Sequence, residues 1–316
     1  MTGYLFRRLL QSLVVIVLVT IIVFILLQLL PGGPAHAILG PRATALQIAQ
    51  FKHDNGLDKP VPVQYLVWLD HLVHGDLGFS YKLNQSVVSL IGERLPKTLI
   101  LTVGAIVITV IVAIPLGIVQ AVRRNTVVDY TMTGLAFVFY AAPPFFLGLV
   151  LILVFSVTFP ILPPEGPQGG FLDALSDPAS LVLPVLTLAL LTIAEFSRYM
   201  RSSVLDNVTE DYVRTARAKG ASERRILYGH ILRNALIPIA TLLGLNLPLI
   251  FSGALITEAV FNFPGMGYLF WQSAQDGDYP VLLGFTLIVS LATVIGSLLA
   301  DIAYAVLDPR VRYVNA

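Results

Sequence analysis

Residues 9–30 read LLQSLVVIVLVTIIVFILLQLL, without one acid or base. A helix rising about 1.5 Å per residue needs about 20 apolar residues to cross about 30 Å of hydrocarbon, and this stretch has that length in one piece. The charge-free run continues to Pro41, and five more follow: Thr98 to Val122, Tyr130 to Pro164, Pro178 to Ala194, Ala235 to Thr257 and Tyr279 to Ala300. Six helical spans are expected. The fourth is the shortest and contains Pro184, so it borrows residues up to about Met200 to cross. The first apolar stretch is longer than the about 7–15 residues of a secretory h-region, so Ala35-His36-Ala37 behind it is read as part of an uncleaved span and its sequel.

Composition agrees. Of 316 residues 12% are charged and 56% hydrophobic, too few charges to coat a water-soluble globule. The net charge of +1 offers no bulk attraction to nucleic acid, and the absence of cysteine removes disulfides, thiolate metal sites and thiol catalysis.

The placement of the cations orients the spans. Two lie before the first span, two in 123–129, eight between Glu195 and Asn234, and two after Asp301, whereas the stretches Glu165 to Asp177 and Glu258 to Asp278 hold none and three acids each. By the positive-inside rule both termini face the cytoplasm. The expected order is a cytoplasmic N-terminus 1–8, span one 9–30, an external segment 31–97, span two 98–122, a cytoplasmic loop 123–129 and span three 130–160. An external loop 161–177, span four 178–200, a cytoplasmic loop 201–234, span five 235–257, an external loop 258–280, span six 281–302 and a cytoplasmic tail 303–316 complete it. The six cations of 31–97 belong to a segment too long for its charges to govern topology. Within it Val63, Leu66, Val67, Leu69 and Val73 follow Pro60 and Pro62 at helical spacing and stop before Gly75 and Gly78, so a small external helical cap is expected.

Enzyme chemistry lacks its residues. The five histidines are His36, His53, His71, His74 and His230, none in a span. His71 and His74 share a helix face without a third ligand, so no metal site is assigned. No lysine follows a glycine, which excludes a phosphate-binding loop, so this chain carries no ATPase site of its own. The span interiors hold no ionisable group of the kind that couples proton or sodium flow, so the driving energy is expected from a partner.

The 40 residues from Glu195 to Asn234 are the most informative. Phe196, Tyr199, Met200, Val204 and Val208 recur at helical spacing. A short basic helix, Tyr212-Val213-Arg214-Thr215-Ala216-Arg217-Ala218-Lys219, then ends at Gly220, and Ser222 with Glu223 opens the next helix toward Ile226, Leu227 and Ile231. Small residues Ala216, Ala218 and Gly220 let another surface approach the backbone, while Arg214, Arg217 and Lys219 fix its orientation. On these residues alone, a solvated hairpin whose charges serve only topology is an equal reading.

The run Tyr212 to Gly220, followed by His230 and by Leu232-Arg233-Asn234-Ala235-Leu236-Ile237-Pro238, resembles the cytoplasmic signature of peptide-type permeases of ATP-binding-cassette importers. Arg7-Arg8-Leu9, Pro31-Gly32-Gly33-Pro34-Ala35, Gly56-Leu57-Asp58-Lys59-Pro60, Gly75-Asp76-Leu77-Gly78, Pro144-Phe145-Phe146-Leu147-Gly148, Pro264-Gly265-Met266-Gly267, Asp278-Tyr279-Pro280 and Leu307-Asp308-Pro309-Arg310 extend the likeness to the B-type permease chain. Gly33 stands where the family has an acid, Gly277 where it has Arg, and Ser297 where it has Asn. The resemblance implies an all-α polytopic membrane protein of six transmembrane helices with the type I importer permease fold. It also implies a homologous second permease subunit, two ATPase subunits that bind ATP and Mg, an external substrate-binding protein and a di- or oligopeptide cargo, in a bacterial or archaeal cell membrane. Tyr212, Arg214, Thr215, Ala216, Arg217, Lys219, Gly220, Ser222 and Glu223 would then form the coupling element that docks on the ATPase. No cofactor is implied in this chain itself. Nickel chelates and glutathione are the alternative cargoes within the family; a stand-alone channel or secondary carrier is the alternative class.

Five residues are candidates for the pathway or its gate. Pro143-Pro144 interrupts the third span, where freed carbonyls face a pathway or the prolines make only a kink. Asn246 lies mid-span and is expected to bond another helix. Glu258, followed by Phe261 in an aromatic, glycine-rich stretch, is a candidate for an outer gate or for a peptide's amino terminus.

Overall fold

The computed structural model describes residues 2–30, 33–40, 42–252 and 254–307. Pro31, Gly32 and the Asp308-Pro309-Arg310 stretch, read from sequence as following the last helix, lie outside the described residues. A first long helix α1 (Thr2–Gln28) leads to three short ones, α2 (Gly33–Leu39), α3 (Ala45–Asp54) and α4 (Val61–Val73). Their starts follow local chemistry. Thr44 caps α3 in a reciprocal box with Gln47, and α4 opens on Pro60 and Pro62. The expected helical cap is therefore present, with an antiparallel hairpin added: β1 (Phe79–Ser80) pairs with β2 (Gln85–Ser86), Phe79 opposite Ser86.

Ser86 accepts from the Ser89 N–H and so starts α5 (Val87–Val122), 36 residues long and eleven residues earlier than the expected span. Counting charge-free residues locates the apolar window but not the helix, because Glu93, Arg94 and Lys97 ride on its first turns. The third span departs further from expectation. Instead of one helix over 130–160, α6 (Val127–Ala141) and α7 (Pro144–Ile152), the latter continued by a π-helical turn Leu153–Thr158, meet at 105°. Ala142 and Pro143 are extended at the break, since a residue before proline is driven from the α region.

After α8 (Phe171–Ser176), helix α9 (Pro178–Val208) passes through Pro184 without interruption and absorbs the first eight residues of the expected cytoplasmic loop. Next come α10 (Asp211–Ala218), α11 (Glu223–Ile226), a π turn Leu227–Ile231, α12 (Leu232–Ala235) and α13 (Ile237–Ser252). The expected external loop 258–280 is mostly helical: α14 (Leu255–Val260) and α15 (Met266–Asp276), the latter ended by Gly277 at φ +63°. The last helix, α16, spans Tyr279–Leu307. Among the described residues five helical passages have the length and apolarity to cross a membrane, six with the bent pair α6–α7.

Helices α5 and α9 form the central pair. They touch at Gly117, where a Cβ would stand 2.6 Å from both the Met200 Cβ and the Ser197 carbonyl oxygen, so only glycine admits this approach. Helix α13 packs on α16, and α16 on α1. Among the described residues of α1, Thr20, Val23, Phe24 and Leu27 are buried, whereas Leu9, Leu13, Val14, Leu18, Ile22 and Leu26 are exposed, as lipid-facing residues of a peripheral span are. One core cluster closes each end of the bundle. Val87, Leu90 and Ile91 of α5 meet Met266, Leu269, Val281 and Phe285 at one end; Ala113, Ile118 and Ala121 meet Phe196, Met200 and Val204 at the other.

Candidate functional site

The segment between α9 and α13 is seated rather than loose. Val213 of α10 and Ile226 of α11 are fully buried and join the cluster of Phe196, Met200, Val204, Ile231 and Ile239. The Tyr212 hydroxyl donates to Asn207 Oδ1 at 2.7 Å, fixing the start of α10 to the end of α9. The far end closes in a Schellman turn: the Ala221 N–H donates to the Ala216 carbonyl at 3.1 Å and the Gly220 N–H to the Arg217 carbonyl at 3.0 Å. Gly220 is left-handed at φ +78°, and a Cβ there would meet nothing within 4 Å, so it serves the turn while leaving its outer side open.

Across the turn Arg217 grips Glu223 in a bidentate pair, Nε to Oε1 at 2.7 Å and a terminal nitrogen to Oε2 at 3.0 Å. Both are solvent-exposed, so the pair sets geometry more than stability. Its hydrogen bonds hold the Arg217 guanidinium above its usual pKa. Ser222 caps α11 by accepting from the Arg225 N–H.

These contacts sort the expected coupling residues. Arg214, Thr215, Arg217, Lys219, Gly220, Ser222 and Glu223 form one exposed surface, joined by Ala218. Tyr212 and Ala216 do not: both are half-buried against their own bundle. Ala216 packs against the core cluster that also holds Val213 and remains part-exposed beside that surface. The two anchors, Val213 and Ile226, stand in the sequence as β-branched aliphatic residues within basic runs.

A second feature of this end was not anticipated. Asp129, 2% exposed at the start of α6, receives Arg201 of α9 through two bonds of 2.9 and 2.8 Å. Asp129 also accepts from the Asn125 N–H at 3.0 Å, so the turn between α5 and α6 is tied to α9. Arg198, one turn earlier, lies 4.3 Å from the centre of the Tyr140 ring.

The pathway candidates separate into three places. Glu258 is fully buried: Oε1 accepts from the Thr98 hydroxyl at 3.0 Å and Oε2 from the Tyr268 N–H at 2.9 Å. The Thr98 oxygen in turn accepts from the Met266 N–H at 2.7 Å, so the pair stitches α14 and α15 to α5. Burial pushes the Glu258 carboxyl above its ordinary pKa against the pull of these donors. Gly265 and Gly267 are required beside it, since a Cβ on either would fall 2.6 Å from Glu258 Oε2 and the Leu255 Cα respectively. Phe261 is also fully buried, with its ring under Gly148 of α7. As described, then, neither residue faces an open passage; they brace one end of the bundle.

Asn246 donates to the Leu242 carbonyl of its own helix at 2.8 Å, and among the described residues it makes no interhelical bond. With Thr102 and Thr192 it supplies the polar groups of a cleft of about 120 Å³ between α5, α9 and α13. Pro143 is exposed at the α6–α7 bend and Pro144 half-buried, so these prolines shape the fold more sharply than a kink would.

Comparison with known proteins agrees with this architecture. Residues 113–313 match the family described as binding-protein-dependent transport system inner membrane component, and residues 1–102 match its N-terminal region. A protein of Brucella suis biovar 1 (strain 1330) named as a peptide permease is 40% identical over 99% of both chains. The oligopeptide transport system permease protein AppB of Bacillus subtilis (strain 168) is 39% identical, covering 99% of this chain and 100% of its own. The glutathione transport system permease protein GsiC of Salmonella choleraesuis (strain SC-B67) is 37% identical, again over 99% and 100%. With apolar helices of spanning length and matches that cover nearly its whole extent, this multi-pass chain belongs to the family of inner membrane components of binding-protein-dependent transport systems.

Proposed function

We propose that this chain is one of two homologous subunits enclosing the transmembrane pathway of an ATP-driven importer of di- and oligopeptides. In this reading separate ATPase subunits bind ATP and Mg, and this chain has no ATPase site of its own. An external binding protein delivers the peptide. Both termini and the α10–α11 segment face the cytoplasm of a bacterial or archaeal inner membrane. The seating of α10 supports the coupling role: an exposed basic surface is held by Val213 and Ile226 on the same core that contains α5, α9 and α13. A push on that surface displaces the buried anchors and hence the helices they touch, because a close-packed interior transmits strain rather than absorbing it.

Coupling also has an energetic condition. An ATPase pair that met this surface equally well in its open and closed forms would shift nothing, so the docking contacts must differ between the two. Glu258 and Phe261 then act as the brace at the far end, and Thr102, Thr192 and Asn246 line a small cleft between α5, α9 and α13.

The test is reconstitution of the chain with its second permease, ATPases and binding protein in vesicles. ATP-dependent accumulation of a labelled dipeptide supports the reading. Accumulation of glutathione but no dipeptide would select the second cargo, which the 37% identity to a glutathione permease makes the specific alternative. Transport driven by an ion gradient without ATPase subunits would overturn both.

A further inference from the structure

Where α3, α4 and the β1–β2 hairpin meet the end of α1 and the start of α16 lies a cavity of about 500 Å³. Phe24, Phe51, Trp68, Phe79 and Tyr81 give it an aromatic lining. Asp54 and Asp76, both solvent-exposed, supply its charge, with His71 and Tyr81 as its other titratable groups; among the described residues no lysine or arginine lines it. Asp76 spends one oxygen on the Gly78 N–H at 2.9 Å, and among the described residues the Asp54 carboxylate has no hydrogen-bond partner.

The walls are tied before any ligand arrives. Thr20 and Tyr65 hydroxyls meet at 2.9 Å, and Gln28 donates to Gln64 at 2.7 Å, joining α1 to α4. The buried Gln64 amide also donates to the Lys59 carbonyl at 2.7 Å, and the Ser80 hydroxyl donates to Asp278, fixing the hairpin against the start of α16. Phe24, Tyr65 and Trp68 stack edge-on or tilted within 6.2 Å of one another. Such pre-formed concave sites of about 300–1,000 Å³, apolar with few polar groups, are where small molecules bind.

The chemistry selects the ligand. Two carboxylates without a countercharge repel anions, and aromatic faces attract an ammonium while covering apolar surface. A neighbouring groove of about 440 Å³ between α1, α4 and α16 is lined almost wholly by aliphatic residues such as Ile16, Val19, Leu69, Leu291 and Val294 and, among the described residues, by no charged or aromatic one. We propose that the aromatic cavity between α1, α3, α4 and α16 is a binding site for a small primary amine with an apolar body, no larger than a dipeptide amide, whose ammonium is neutralised by Asp54 and Asp76. It lies at the opposite end of the bundle from α10, shares no residue with the Asn246 cleft, and does not depend on the cargo assigned above.

The chain holds two tryptophans, Trp68 in the cavity wall and Trp271 on α15 outside it. In the Trp271→Phe variant of the full chain, in lipid nanodiscs, Trp68 emission reports the cavity alone. Titration with leucyl-phenylalaninamide is expected to give a saturable change, and N-acetyl-leucyl-phenylalaninamide, which lacks the ammonium, to bind about tenfold or more weakly. Asp54→Asn with Asp76→Asn should weaken the free amine by a similar factor while leaving the acetylated compound unchanged; Asn keeps the acceptor for Gly78. Absence of saturation up to about 10 mM, a concentration that captures even millimolar Kd, would overturn the proposal. Equal binding of the free and acetylated amides would overturn it as well, and that comparison requires no carboxylate variant to fold.

Discussion

Gly220 separates two roles that a single loss-of-function substitution would confuse. Its φ of +78° suits glycine, tolerates asparagine and disfavours alanine, and a Cβ there meets nothing of this chain within 4 Å. Gly220→Ala therefore costs about 1 kcal/mol of backbone strain, a factor of about five in the local equilibrium, and Gly220→Asn only a few tenths. Neither should lower the melting temperature of the isolated chain appreciably. If the ATPase presses on Lys219 and Gly220, however, both new side chains intrude on a packed contact. Overpacking of roughly 1–3 kcal/mol then weakens docking by about tenfold. Reconstituted complexes read this as co-purification of the ATPase and as ATP hydrolysis stimulated by the loaded binding protein. Both variants are expected to lose stimulated hydrolysis, Asn as much as Ala. A Gly220→Asn complex that docks and hydrolyses as the parent does would refute the docking surface and leave the glycine a turn residue only.

Three further outcomes follow from buried contacts. Arg201→Ala leaves Asp129 charged and buried, so the chain should lose about 3 kcal/mol of stability in thermal unfolding, and the joint replacement Asp129→Leu with Arg201→Met should lose less. Gly117→Ala forces its methyl onto the Met200 Cβ and the Ser197 carbonyl; a drop in unfolding midpoint that Met200→Ala fails to reverse is expected, since alanine keeps the Cβ and the carbonyl remains. Glu258→Gln keeps the shape but gives up the charge-assisted bonds from Thr98 and Tyr268, for a loss of about 1–2 kcal/mol; peptide uptake should then fall only as far as the amount of folded chain in the membrane does, which quantitative blotting beside the uptake assay measures.

Much of this was legible in residues alone. The charge-free runs correspond to the apolar helices, Gly220 to a helix stop and Ser222 to a cap, because hydrocarbon thickness and backbone hydrogen bonding act locally along the chain. What resisted reading depends on contacts between distant residues. Pro143-Pro144 announced a break but not its 105° angle, nor that α7 would pack with Phe261 under Gly148. Glu258 looked like a free carboxylate at the end of a span; its partners Thr98 and Tyr268 lie 160 and 10 residues away, and no periodicity points to the former. Asn246 was expected to reach a neighbouring helix, whereas the bond it makes among the described residues is to its own Leu242 carbonyl, the common local alternative for a polar side chain within a helix.

The coupling claim is tested most directly by where the ATPase touches. The chain has no cysteine, so Ala218→Cys is a unique, exposed attachment point for a photoactivatable benzophenone maleimide. Irradiation of the assembled importer should produce a covalent adduct between this chain and an ATPase subunit, with a yield that differs between the nucleotide-free and ATP-bound complexes. An importer that co-purifies and hydrolyses ATP but gives no such adduct from position 218, nor from Thr215→Cys or Ser222→Cys, would contradict the assignment.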